Sequence, residues 1–124
     1  MHKLFLIIFI SFLVSCSAQE SQSFRVIDAA ELKSLEADRK DLIFLDVRTP
    51  GETAKGYIHD ALLIDFRSPT FAQEVKKLDH SAPYLVYCAS GIRSKKAMQM
   101  MKEWGFEEVY DLRGGYKSYL PINE

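Results

Sequence analysis

Four largely apolar runs, Leu42-Ile43-Phe44-Leu45, Leu62-Leu63-Ile64, Tyr84-Leu85-Val86-Tyr87 and Val109-Tyr110-Asp111-Leu112, are separated by segments of helical periodicity. A strand that is apolar along its whole length is covered on both sides, and such strands alternating with helices specify a parallel sheet between two helical layers. The expected fold is therefore α/β, with a central, mostly parallel sheet and helices on both faces. Phe24-Arg25-Val26-Ile27 supplies a first strand.

The connecting segments carry their own signals. Asp28 and Glu31 have capping-box spacing and open a helix with Leu32 and Leu35 facing inward. Ser68-Pro69 reads as an N-cap followed by Pro at the first helical position, with Phe71, Val75 and Leu78 as the inner stripe. Ala97, Met100, Met101 and Trp104 repeat at helical spacing up to Gly105, which makes them core rather than a cofactor box. Gly114-Gly115 ends the last strand. With 124 residues, 48% hydrophobic content and a net charge of -1, the chain suits one globular domain and lacks the basic footprint of a nucleic-acid binder.

The N-terminus stands apart. After Met1-His2-Lys3 comes an apolar run of eleven residues, Leu4 to Val14, about half the roughly twenty that a membrane-spanning helix needs. It reads as the apolar region of a secretory signal. Leu13-Val14-Ser15-Cys16 resembles the lipobox of bacterial lipoproteins, with a thiol to carry lipid and a small residue before it. That resemblance implies a signal peptide over 1–15, lipidation of Cys16, a polar tether over 16–23 and a folded domain over 24–124. It also implies a lipid-anchored protein on the extracytoplasmic side of a bacterial envelope. Ser17 rather than Asp after the cysteine points to the outer membrane. Cleavage after Ala18 would instead leave a soluble periplasmic protein.

Cys88 ends the third apolar run, where Ala89-Ser90-Gly91-Ile92-Arg93 leads into a helix. A helix start presents unpaired N–H groups and a positive dipole end, which favour anions and lower a thiol's pKa. Gly91 permits the left-handed backbone that lets several N–H groups converge. Cys88 is thus a candidate nucleophile and Ala89, Ser90, Gly91, Ile92 and Arg93 a candidate anion cradle. The alternative is a buried cysteine acting as a small hydrophobe. With Cys16 committed to lipid, Cys88 would have no disulfide partner.

From about Phe24 to Tyr119 the chain resembles a single-domain rhodanese-like sulfurtransferase. Leu45-Asp46-Val47-Arg48 with Glu52, Gly56, Ile58 and Ala61 resembles that family's N-terminal signature, and Cys88-Ala89-Ser90-Gly91-Ile92-Arg93 its active-site loop. Trp104-Gly105-Phe106, Val109 and Leu112-Arg113-Gly114-Gly115 resemble its C-terminal signature. The resemblance implies that Cys88 takes a sulfane sulfur as a persulfide and passes it on, without metal or organic cofactor. The implied partners are a small sulfur-donor anion such as thiosulfate and a thiol, cyanide or protein acceptor, with the chain acting as a monomer.

The resemblance also places Asp46 beside the loop, where it pairs with Arg93 or accepts backbone hydrogen bonds. Arg48 and Glu52, four apart, would brace one another. Arg93 either faces the pocket and attracts anionic donors or turns inward to a carboxylate. Tyr57 and Asp60 stand where the family usually has His and Gly. His59 reads as a surface loop residue, and with His2 in the signal and His80 in a polar turn no metal site is expected. Two rivals remain. One is a module that recognises an anion or persulfide without turnover. The other is a phosphatase of the same architecture, disfavoured because the four residues between Cys88 and Arg93 make a loop one residue short of the phosphatase pattern.

Overall fold

The computed structural model describes residues 23–120; the expected signal, the lipobox-like run with Cys16, most of the expected tether and the last four residues of the expected domain lie outside them. In chain order the elements are β1 (Phe24–Ile27), α1 (Ala29–Asp38), β2 (Ile43–Asp46), α2 (Pro50–Thr53), β3 (Leu62–Leu63), α3 (Phe71–Lys76), β4 (Pro83–Tyr87), α4 (Ile92–Glu103), β5 (Glu108–Leu112) and α5 (Gly115–Tyr119). The five strands form one sheet in the order β1-β5-β4-β2-β3, and every pairing is parallel.

Successive side chains of a strand point to opposite faces, and the core divides accordingly. Leu45, Tyr84, Val86 and Val109 pack with Phe71, Val75, Ala97, Met98 and Met101 of α3 and α4. Phe44, Leu85, Tyr87, Tyr110 and Leu112 pack with Ala29 and Leu32 of α1, and with Tyr116 and Tyr119 of α5. The central strand β4 is buried at all five positions. Its C-terminal end delivers Cys88 to the edge where neighbouring strands β2 and β5 also terminate.

Three local expectations change. The apolar run Leu62-Leu63-Ile64 becomes a two-residue edge strand paired only with β2, and Leu62 and Leu63 are exposed. Helix α3 begins at Phe71, with Thr70 rather than Ser68 as its N-cap. The Ser68 carbonyl accepts from the Phe71 N–H and its hydroxyl from the Thr70 N–H, closing a separate turn that holds Pro69 outside the helix. The inner face of α4 is Ser94, Ala97, Met98 and Met101, with Met100 and Trp104 only partly covered. By contrast α1 opens as expected, with the Asp28 carboxylate accepting from the Glu31 N–H at 2.8 Å.

Candidate active site

Cys88 follows β4 and is 1% exposed. The chain reaches α4 through Gly91, whose φ of +102° is left-handed, a region that costs a side-chain-bearing residue free energy. This turn aims the Gly91 N–H at Cys88 Sγ, 3.1 Å away. Ser94, one turn into α4 and fully buried, places its Oγ 3.4 Å from the same sulfur. Burial by itself pushes the Cys88 thiol up, but hydrogen bonds from the Ser94 side chain and from the backbone of Ser94, Ser90 and Gly91 outweigh it and hold the thiol below its ordinary value. The cradle expected of Ala89 to Arg93 therefore acts on sulfur through Ser90 and Gly91, joined by Ser94 just beyond it.

The loop is held from behind by α5. The Tyr116 N–H donates to the Cys88 carbonyl at 2.8 Å and the Lys117 N–H to the Ala89 carbonyl at 3.4 Å. That approach requires Gly115: at its φ of +60°, a Cβ would collide with the backbone of Cys88 and Ala89. The second glycine of the Gly114-Gly115 pair is thus a close-packing point as well as a strand terminator.

The charged residues meet the expectation in part: Asp46 accepts a backbone hydrogen bond and Arg93 turns to a carboxylate, but the pairings differ. Asp46 does not meet Arg93. It is fully buried at the end of β2, in register with Tyr87, and accepts from the Arg48 backbone N–H and from Arg48 Nε and Nη2, the last at 2.6 Å. Arg48 in turn donates to the Gly56 carbonyl at 2.7 Å and lies 4.1 Å from the Tyr116 ring centre. Nor does Glu52 brace Arg48. It sits in α2, where it accepts from the Thr49 N–H and hydroxyl, and it takes a two-bond fork from Arg93 at 2.8 and 2.9 Å. Local pairing across four residues loses to these contacts because α2 turns Glu52 toward α4 while the β2 terminus keeps Arg48 over Asp46. The Arg93 guanidinium holds the Glu52 carboxyl well below the usual carboxylate range. Arg93 therefore turns to a carboxylate, with Cys88 also near enough to favour its charged form.

Two cavities flank the loop. One, about 560 Å³, is lined by Ser90, Gly91 and Ile92 with Lys95, Lys96 and Arg113 among its other walls. The other, about 480 Å³, lies beside Ala89 and carries Arg48, Lys55 and Lys117. Both surround the loop with cations suited to anionic reactants. Among the described residues, no three His, Cys, Asp or Glu side chains converge as a metal site. His59 is exposed and bonded to Glu36 and Tyr119. Ser94 and Asp111, whose carboxylate accepts from Ser94 Oγ, are site residues that the sequence reading missed. The available signal was a carboxylate inside an otherwise apolar strand.

Known proteins agree with this architecture. The rhodanese-like domain profile matches residues 28–121, and the chain belongs to that family. A sulfurtransferase from Allochromatium vinosum is 37% identical over 101 residues, which cover 77% of this chain and 92% of that protein. A tRNA uridine(34) hydroxylase from Cytophaga hutchinsonii is 38% identical over 96 residues, covering 75% of this chain but only 30% of the hydroxylase. The chain thus spans about a third of that longer relative. Among solved structures, a rhodanese-related protein from Thermoplasma volcanium superposes with a TM-score of 0.70 at 30% identity, covering 80% of this chain and 93% of that one.

Proposed function

We propose that the protein is a sulfurtransferase in which Cys88 carries a sulfane sulfur between an anionic donor and a thiophilic acceptor. The observation that carries this reading is the sulfur's environment: Cys88 Sγ receives the Gly91 N–H at the left-handed entry to α4, with the Ser94 hydroxyl beside it, and its thiol pKa is held down. The thiolate attacks the outer sulfur of thiosulfate. A bond forms between Sγ and that sulfur, and the donor's S–S bond breaks with its electron pair leaving on sulfite. Cyanide or a thiolate then attacks the outer sulfur of the persulfide and releases the Cys88 thiolate. N–H groups at the loop stabilise the negative charge that stays on sulfur throughout. The near-full-length likeness to a protein named sulfurtransferase supports this reading.

Cys88→Ser tests it in a thiosulfate-to-cyanide assay. Oxygen does not carry a transferable sulfane sulfur, so turnover is expected to vanish while the fold persists. Turnover retained by the variant would remove Cys88 as the carrier, and no turnover in the wild type would favour a recognition module.

The Leu13-Val14-Ser15-Cys16 pattern supports a companion proposal, that Cys16 anchors the domain to an envelope membrane. Palmitate labelling and fractionation decide it: a labelled membrane form is expected, and an unlabelled soluble form beginning at Gln19 would contradict it.

A further inference from the structure

Asp111 is a carboxylate in the middle of the sheet, 2% exposed, and the sulfur-transfer steps leave it without a task. Its Oδ1 accepts from Ser94 Oγ at 2.5 Å, the length of a charge-assisted O–H···O bond. That same Oγ stands 3.4 Å from Cys88 Sγ. A hydroxyl has one proton to donate. An ionised Asp111 takes it, turning a serine lone pair toward the sulfur, which favours the thiol. A protonated Asp111 donates to Ser94 Oγ instead and releases the serine O–H to the Cys88 thiolate.

We propose that Asp111 is a positioning residue that competes with the Cys88 sulfur for the single Ser94 hydroxyl proton, so that the charge on Asp111 governs how much of Cys88 is thiolate. The balance is one of protons alone: Asp111 loses its proton to solvent, the serine O–H reorients, and Cys88 becomes more prone to take a proton from solvent. Burial pushes the Asp111 carboxyl up, against the Ser94 hydrogen bond and the charge of Lys95. This brings its ionisation toward that of the lowered Cys88 thiol, and the Ser94 hydroxyl shared by the two is the link through which they would couple. Several charged side chains share a cavity with Asp111: Lys95 and Lys96 of α4 and Arg113 beyond β5. Strand β1 offers the uncharged Val26, and Cys88 comes from the end of β4.

The proposal rests on Cys88 as the reactive thiol, yet it can be read without any sulfur transfer. In the full-length protein, the rate of iodoacetamide alkylation of the Cys88 peptide, followed by mass spectrometry across pH, reports its thiolate fraction. In Asp111→Asn the carboxylate charge is gone, and the amide can donate to Ser94 Oγ, leaving only a neutral carbonyl as the weaker rival for the hydroxyl proton. The Cys88 midpoint is expected to fall by about one pH unit, raising alkylation about tenfold at pH values below both midpoints. The shift is expected to shrink when Ser94→Ala is present in both parent and variant, because the hydroxyl is the connector. Should Asp111→Asn not fold, Asp111→Leu removes the rival altogether and is read alike. A midpoint that is unchanged or raised, or a shift that persists in full without Ser94, overturns the proposal whatever the sulfurtransferase assay shows.

Discussion

Arg93 and Glu52 grip each other through two hydrogen bonds of 2.8 and 2.9 Å between positions 41 residues apart in the chain. The pair ties the first turn of α4, and with it the Cys88 loop, to α2. Arg93 thus holds the cradle's shape as well as contributing its charge.

Glu52→Gln is expected to lower stability by about 1–2 kcal/mol at neutral pH, a charge-assisted bond discounted for the partial exposure of its carboxylate. The folded carboxyl pKa is depressed, so this contribution is present above the unfolded carboxyl value of 4.5 and is lost as pH falls below it toward the folded value. Thermal melts of both proteins at neutral and acid pH check the sign. A gap that widens on acidification would contradict the pairing.

Gly91→Val is expected to cost more than tenfold in kcat/KM for thiosulfate, because a β-branched residue at φ +102° carries strain of about 1–3 kcal/mol or shifts the N–H off the sulfur. Ile92→Val, at a residue 68% exposed, is expected to lose far less. Equal losses in two folded variants would deny the left-handed turn its role.

Gly115→Ala is expected to destabilise by at least about 3 kcal/mol, since the added methyl meets the backbone of Cys88 and Ala89 at a left-handed φ. Gly51→Ala is the control, with nothing within 4 Å of the new methyl, and should stay within about 1 kcal/mol of wild type. Denaturant unfolding of the two variants measures the contrast.

Arg48→Met strands the fully buried Asp46 carboxylate and removes the Gly56 contact. A loss of about 3–5 kcal/mol is expected, read as a fall in melting temperature. An unchanged melt would show that Asp46 finds another partner.

The fold was legible where periodicity alone decides it. The apolar runs at β2, β4 and β5 became interior strands as expected, and Asp28 announced α1. The start of α3 was not legible, because Ser68 offers the same hydroxyl to a turn as to a helix. At the site, Cys88 and Gly91 followed from a strand, a small-residue loop and a helix in sequence. The exchange of partners among Asp46, Arg48, Glu52 and Arg93 did not, since it depends on how α2 and α4 face each other. Ser94 was hidden by its chemistry, being a small polar residue on an apolar helical face, and its meaning appears only when β5 sets Asp111 against it.

Mass spectrometry of the purified protein after exposure to thiosulfate tests the central claim most directly. The expected result is a gain of one sulfur atom, located on the Cys88 peptide and discharged by cyanide. A folded protein with no added sulfur at Cys88 would contradict the account.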